Sequence, residues 1–441
     1  MLGVIVGAPA VLVLVLQITF SANKLRPDQL EPPSGLSAGS HAKPAGKPPR
    51  KLEDCLSSAE AADIYTKWAA KFTNEKEWLE HGPTGRRAGE PLTADQVKWL
   101  LENRELIDDL MRLAKTKPAI ESHDQLAPGD LALIKLMEKE FIIFQGFSRI
   151  LSAEGRRRRD AGDFTGAAEA LLAINPLAKS VSEPTLLGEL VAIAMQAHSS
   201  LELADWLHDP SMTPEFAKLL RARFGESAVG AADFRRYLER DYAFKRDETV
   251  RLLSGSLANL IQYHTDLVLN LKEPVPALKK GLLDHFYERP GQTTLKVAWG
   301  TWQAVVAKSR AASLVDHMDA SYGGMLSAID TNRNLPEIDF KNMPYFERIA
   351  LPNYQEALTR TDVSAANVNL GVAGLDAVLG NQTTATDPFA NEPLKTVQAD
   401  DEITIYSVGP DRTDQRASVR YDPTNGTLSA GDIWVRVRKT R

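Results

Sequence analysis

Of 441 residues, only Cys55 is a cysteine. That excludes an intrachain disulfide and any cysteine cluster for zinc. Its nearest basic neighbour is Lys51, too little to mark a reactive thiolate. Excess basic charge is missing as well. Lys and Arg number 52 against 58 Asp and Glu, a formal net charge of −6, so no nucleic-acid partner is expected. The eight histidines, His41, His81, His123, His198, His208, His264, His285 and His317, include no His-Glu-x-x-His pair. His285 and His317 follow Asp284 and Asp316, which would orient an imidazole, but no third ligand accompanies them. No Gly-x-Ser-x-Gly elbow, phosphate-cradling glycine loop or dinucleotide fingerprint occurs. Ser254-Gly255-Ser256 and Tyr263-His264 lie near one another without any motif spacing. No catalytic residue is assigned, although carboxylates that only the fold brings together leave a hydrolase open.

What is present is most distinctive at the C-terminal end. Ile403-Thr404-Ile405-Tyr406-Ser407-Val408 alternates β-branched and aromatic residues with period two, predicting a strand that Gly409-Pro410 must end. Ile433-Trp434-Val435-Arg436-Val437-Arg438 predicts a second strand. Between them lie Asp411, Asp414, Asp422, Asn425 and Asp432 among turn formers. Aspartates in such a loop form Asx turns facing water. The same oxygens suit Ca²⁺, which takes about six to eight hard oxygen ligands, although the spacing is not that of an EF-hand.

Asp387-Pro388-Phe389-Ala390-Asn391-Glu392-Pro393, then Tyr406-Ser407-Val408-Gly409-Pro410-Asp411 and Asp432-Ile433, resemble the C-terminal β-region of the major pseudopilins of type II secretion systems. The resemblance implies a calcium-binding loop, with the carbonyl of Val408 and the carboxylates of Asp411, Asp414 and Asp432 as ligands. It departs from the family in an insertion around Tyr421 to Ala430 and in lacking the N-terminal processing motif, so assembly into a pilus is not implied. The whole chain also resembles bacterial single-pass membrane proteins with a long helical body.

Leu2 to Phe20 is apolar apart from Gly, Pro9, Gln17 and Thr19. At ~1.5 Å per residue a helix of that length just crosses a bilayer core. A retained anchor is expected over residues 1–22, with a signal peptide as its rival. Lys24 and Arg26 directly follow the run and favour a cytoplasmic body. The pseudopilin-like end favours export. We expect a single-pass protein of the cell inner membrane with an extracytoplasmic body. Residues 23–52 are rich in proline and read as a spacer.

Residues 53–353 read as an α-helical domain. Thr93 to Gln96 forms a capping box ahead of Val97, Leu100, Leu101, Leu106, Leu110 and Leu113. Gly155, Gly162-Asp163-Phe164 and Ala167-Ala168 have the small-residue offsets of a helical hairpin, as in one tetratricopeptide unit. Arg156 to Arg159 falls in that hairpin. Four successive helical residues point four ways, which predicts a solvated helix end rather than a phosphate site. Leu186 to Leu207 reads as a core helix, and Thr213-Pro214-Glu215 as a helix start. Residues 354–441 are expected to form a connecting helix and a β-module.

The expected fold is therefore mainly α, a multi-helix bundle or hairpin domain with a small C-terminal antiparallel β-module and an N-terminal transmembrane helix. The expected function is a non-enzymatic envelope or interaction protein, meeting the membrane through its anchor and a protein partner through its body. An extracytoplasmic hydrolase and a minor secretion-system component are the alternatives.

Overall fold

The computed structural model describes Arg26, Gln29, Lys67, Pro83 and residues 89–116, 131–182, 186–225, 231–261, 304–330, 354–422 and 427–439. The expected anchor, Cys55 and His41, His81, His123, His264 and His285 lie outside the described residues. Among the described helices, none is long and apolar enough to cross a membrane. The protein is mainly helical with a small three-stranded antiparallel sheet near the C-terminus.

Two compact units share the chain. One comprises residues 1–39 and 239–354, the other 40–238 and 355–441. The expected linear division at residue 353 differs from this, because the C-terminal strands join the core of the earlier helices rather than closing a core of their own.

In the larger unit, α1 (Ala94–Glu102) and α2 (Arg104–Thr116) precede a long α3 (Leu131–Asp160). The Thr93 capping box forms as expected: Thr93 Oγ1 accepts from Gln96 N at 3.2 Å and Gln96 Oε1 from Thr93 N at 3.0 Å. Leu101, expected in the buried stripe, is exposed, and Trp99 takes its place inside. A turn at Ala161–Asp163 leads to α4 (Phe164–Ser182), followed by α5 (Leu186–His208) and α6 (Pro214–Arg221). Asp163 accepts from Gly166 N at 2.9 Å and caps α4. At Gly155 a Cβ would lie 3.3 Å from Trp206 and 3.4 Å from the Ala167 carbonyl, so the small residue sits where α3 meets both α4 and α5. Leu186–His208 is the core helix its composition predicts, burying Val191, Met195, Leu203 and Trp206.

α7 (Ala231–Ser254) begins in this unit; α9 (Tyr354–Val378) packs onto it through two glycines. A Cβ on Gly371 would lie 2.8 Å from Phe224 and 3.0 Å from Leu203, and one on Gly374 would lie 2.4 Å from Leu207. The sheet follows, with β1 (Lys395–Gln398), β2 (Glu402–Ser407) and β3 (Ile433–Arg438) in the order β1-β2-β3. Tyr406 stands opposite Lys395 on one side and Trp434 on the other. Alternation turns Ile433, Val435 and Val437 inward, where they share one apolar core with Leu203, Trp206 and Leu207. Burial of each such large apolar side chain contributes about 1.5–3 kcal/mol. β1 was not expected: it is a four-residue edge strand without alternation.

In the smaller unit, the part of α7 from Glu239 onward and α8 (Ala311–Asp330) carry stacked Tyr242 and Tyr322 rings, with centroids 3.9 Å apart. Asp319 accepts from the Tyr242 hydroxyl and from Arg246 Nε at 2.8 Å. The stretch read as a free spacer has two residues fixed here. Arg26 meets Asp316 at 2.6 Å, and Gln29, 2% exposed, donates to the Ala312 carbonyl at 2.9 Å. Their anchorage is polar, which is why an apolar-period reading misses it.

Candidate functional site

Asp387 organises the C-terminal region. Its buried carboxylate accepts from Phe389 N at 2.9 Å, Ser407 Oγ at 2.7 Å and Val408 N at 2.8 Å. The first bond makes an Asx turn, and the others tie that turn to the end of β2. The two separated words Asp-Pro-Phe and Tyr-Ser-Val-Gly are therefore one hydrogen-bonded structure. Beyond Val408 the chain crosses itself. A Cβ on Gly409 would lie 2.2 Å from the Gly431 carbonyl oxygen, and the two residues have φ of 71° and 129°. Only glycine meets both demands.

Beside this crossing the loop gathers its acids. Asp432 is fully buried; Oδ1 accepts from Gln415 N at 3.4 Å and Oδ2 from Ala417 N at 2.6 Å. Gln415 Nε2 in turn donates to Asp411 Oδ2 at 2.8 Å, and Gly431 N reaches the same oxygen at 3.4 Å. Gln415 thus joins the two carboxylates that sequence placed at opposite ends of the loop. Its own Oε1 is buried with no hydrogen-bond partner. Asp414 is drawn elsewhere, to Lys395 Nζ at 2.8 Å and to the Tyr406 hydroxyl at 3.1 Å. Val408 is positioned through the bond from its N–H to Asp387. Asp422 contributes a carbonyl to Ser429 Oγ at 2.8 Å, and Asn425 lies outside the described residues. Within the insertion, Thr427 Oγ1 donates to Glu356 at 3.1 Å, fastening it to the start of α9.

The electrostatics separate these acids. Burial pushes the Asp432 carboxyl up; the Ala417 and Gln415 N–H groups oppose this, while Asp414 and Asp411 add to it. The hydrogen bond from Lys395 holds Asp414 below the usual carboxylate range. Among the described residues, no three His, Cys, Asp or Glu side chains are gathered closely enough to hold a metal ion. Any cation in this loop must therefore draw on neutral oxygens besides Asp411 and Asp432. Gln415 Oε1 and the Val408 carbonyl are the fitting types. Sequence reading missed Gln415, because a neutral side chain between Asp414 and Arg416 carries no pattern.

No known protein family, curated protein or solved structure matches the chain.

The arginine run corrects its expectation. Arg156, Arg158 and Arg159 are buried, not a solvated helix end. They do point in different directions, but each finds an acid, and two acids are shared. Arg156 Nε meets Glu202 at 2.5 Å and its Nη2 meets Asp205. Arg157 and Arg158 both hold Glu154, at 2.8 and 2.6 Å. Arg159 meets Asp160 at 2.9 Å and lies over Trp206. Glu202, fully buried, also accepts from Trp206 Nε1 at 3.0 Å and from Ser152 Oγ and Gly89 N, each at 3.1 Å. This is a structural ion cluster in which each arginine is paired with at least one acid, although Arg159 Nη1 has no hydrogen bond.

The same helix opens onto a cleft of about 410 Å³. Asp205 and His208 line one wall, and Trp434 and Arg436 the other. Asp205 is engaged by Arg156, and His208 Nε2 stands 3.4 Å from Glu402. His198 is held elsewhere, its Nδ1 2.7 Å from Ser148 Oγ, while His317 is exposed on α8. Ser254 and Ser256 bond locally to the Arg251 carbonyl and the Asn259 N–H.

Proposed function

We propose that the protein is a membrane-anchored, extracytoplasmic, non-enzymatic envelope or interaction protein whose C-terminal loop is stabilised by calcium. The observation that carries the calcium reading is the buried Asp432 carboxylate, held up in pKa beside Asp411 and Asp414, with the unpartnered Gln415 Oε1 in the same loop. A divalent cation relieves that concentration of negative charge and gives the stranded oxygen a partner. Asp411, Asp432, Gln415 and the Val408 carbonyl would hold it, with Asp414 exchanging Lys395 for the ion as a further ligand. The cleft fits a binding role, its carboxylate Asp205 being engaged by Arg156. An extracytoplasmic hydrolase and a minor secretion-system component are weaker readings.

Isothermal titration of the full chain tests the cation. One calcium per chain is expected, with binding lost in Asp432→Asn. No heat of binding, or equal binding by that variant, contradicts the assignment.

A further inference from the structure

We propose that the cleft lined by α5, Arg420 and Trp434 to Arg436 of β3 binds a small molecule with a flat ring and an anionic group, a carboxylate or a phosphate. Its volume of about 410 Å³ falls within the range of ligand sites, roughly 300–1,000 Å³. Leu201, Ala204, Asp205 and His208 line it at helical offsets of three, four and seven, so they form one face of α5. Leu201 is 43% exposed there and gives that wall an apolar surface. Trp434 faces it from β3, half-buried, and supplies an aromatic surface against which a planar ligand packs beside Arg420.

Charge completes the recognition. Arg420 lies over the Trp434 ring at 5.6 Å, stacked rather than paired with an acid among the described residues. Arg436 reaches Glu402 only at 3.8 Å, and that glutamate is shared with His208. The acid inside the cleft, Asp205, is engaged from behind by Arg156 and, at 3.7 Å, by Arg159. Two guanidinium groups thus stand beside an aromatic plane, and among the described residues only Glu402 comes within ion-pair distance of either. Such groups take carboxylate or phosphate through paired N–H donors. The inference deepens the reading of a non-enzymatic binding protein and relies on it only in treating the ligand as bound without being converted.

The test uses 2-naphthoate and 2-naphthyl phosphate with the full chain, and 2-naphthylmethylamine as the cation of matched shape. Both anions are expected to bind at one saturable site at roughly 1 mM or below. Arg420→Ala and Arg436→Ala should each weaken binding by about tenfold or more, and Trp434→Ala likewise. Arg438→Ala, outside the cleft, should leave binding unchanged. Circular dichroism confirms that each variant folds. Equal binding of the amine, no saturable binding of either anion, or undiminished binding by folded Arg420→Ala and Arg436→Ala overturns the site. The phosphate ester keeps the two readings apart. Recovery of intact ester after binding supports both, whereas release of 2-naphthol leaves the site standing and removes the non-enzymatic reading.

Discussion

Glu202 is fully buried and takes hydrogen bonds from Arg156, Trp206, Ser152 and Gly89. Deleting one member of a buried ion pair strands the other's charge in a poor solvent, which costs about 3–5 kcal/mol. Glu202→Ala should therefore lower stability by about that much in urea unfolding. Replacing both Arg156 and Glu202 with apolar residues of similar size should recover much of the loss; a double variant as unstable as the sum of the singles would contradict the pairing. A different residue governs pH. Burial pushes the Asp362 carboxyl up to about 7 against the opposing charge of Arg412. Its folded pKa thus exceeds the ordinary value of about 3.9, so the folded state holds the proton longer and stability falls as pH rises from about 4 to about 7. Asp362→Asn should remove that part of the fall and gain stability at pH 8 relative to the parent. An unchanged difference between urea midpoints at pH 4.5 and 8 would count against it. Neither residue stands out in the sequence, because burial of a charge depends on distant partners. Asp387, by contrast, was legible as part of a distinctive word, although its three bonds were not.

At the scale of elements, helix caps and strand alternation were readable because their partners lie within a few residues. Thr93 and Thr213 cap as their sequences dictate, and β3 buries every second residue. β2 forms where its β-branched residues predict it, but its burial rises along the strand toward Ser407 rather than alternating. The end of α3 was misjudged: charge suggested a solvated terminus, but carboxylates on α3 itself and on α5 allow the arginines inside. Glycines show the same dependence on what lies opposite. Inside a helix, Gly→Ala gains about 1 kcal/mol of intrinsic propensity. Gly323 on α8 is exposed with nothing within 4 Å of an added Cβ, so Gly323→Ala should stabilise by about 0.5–1 kcal/mol. At Gly374 the added carbon meets buried Leu207 at 2.4 Å, and overpacking of about 1–3 kcal/mol exceeds the gain. Gly374→Ala should therefore destabilise. Opposite signs in thermal unfolding check the pair; stabilisation by both would refute the α9 packing.

At the scale of the whole molecule, apolar spacing and helix starts along the chain correctly pointed to a mainly helical protein with a small β-region. Order along the chain did not reveal that residues 355–441 complete the unit begun by residues 40–238. Ile433, Val435 and Val437 are individually ordinary strand residues, and only their shared core with α5 shows where they belong. The proposed anchor is tested by fractionation: detergent, not high salt, should release the intact chain, and release by salt alone would refute it. The calcium-stabilised loop is the claim on which the rest of the functional reading turns. Thermal melting of the full chain with calcium and with chelator tests it most directly. Calcium is expected to raise the melting temperature by several degrees, on the order of 4 °C for each kcal/mol of binding free energy in a small domain and less in a chain of this length. Asp414→Asn should retain most of the rise and Asp432→Asn should lose it. No rise, or the same rise in Asp432→Asn, would contradict the account.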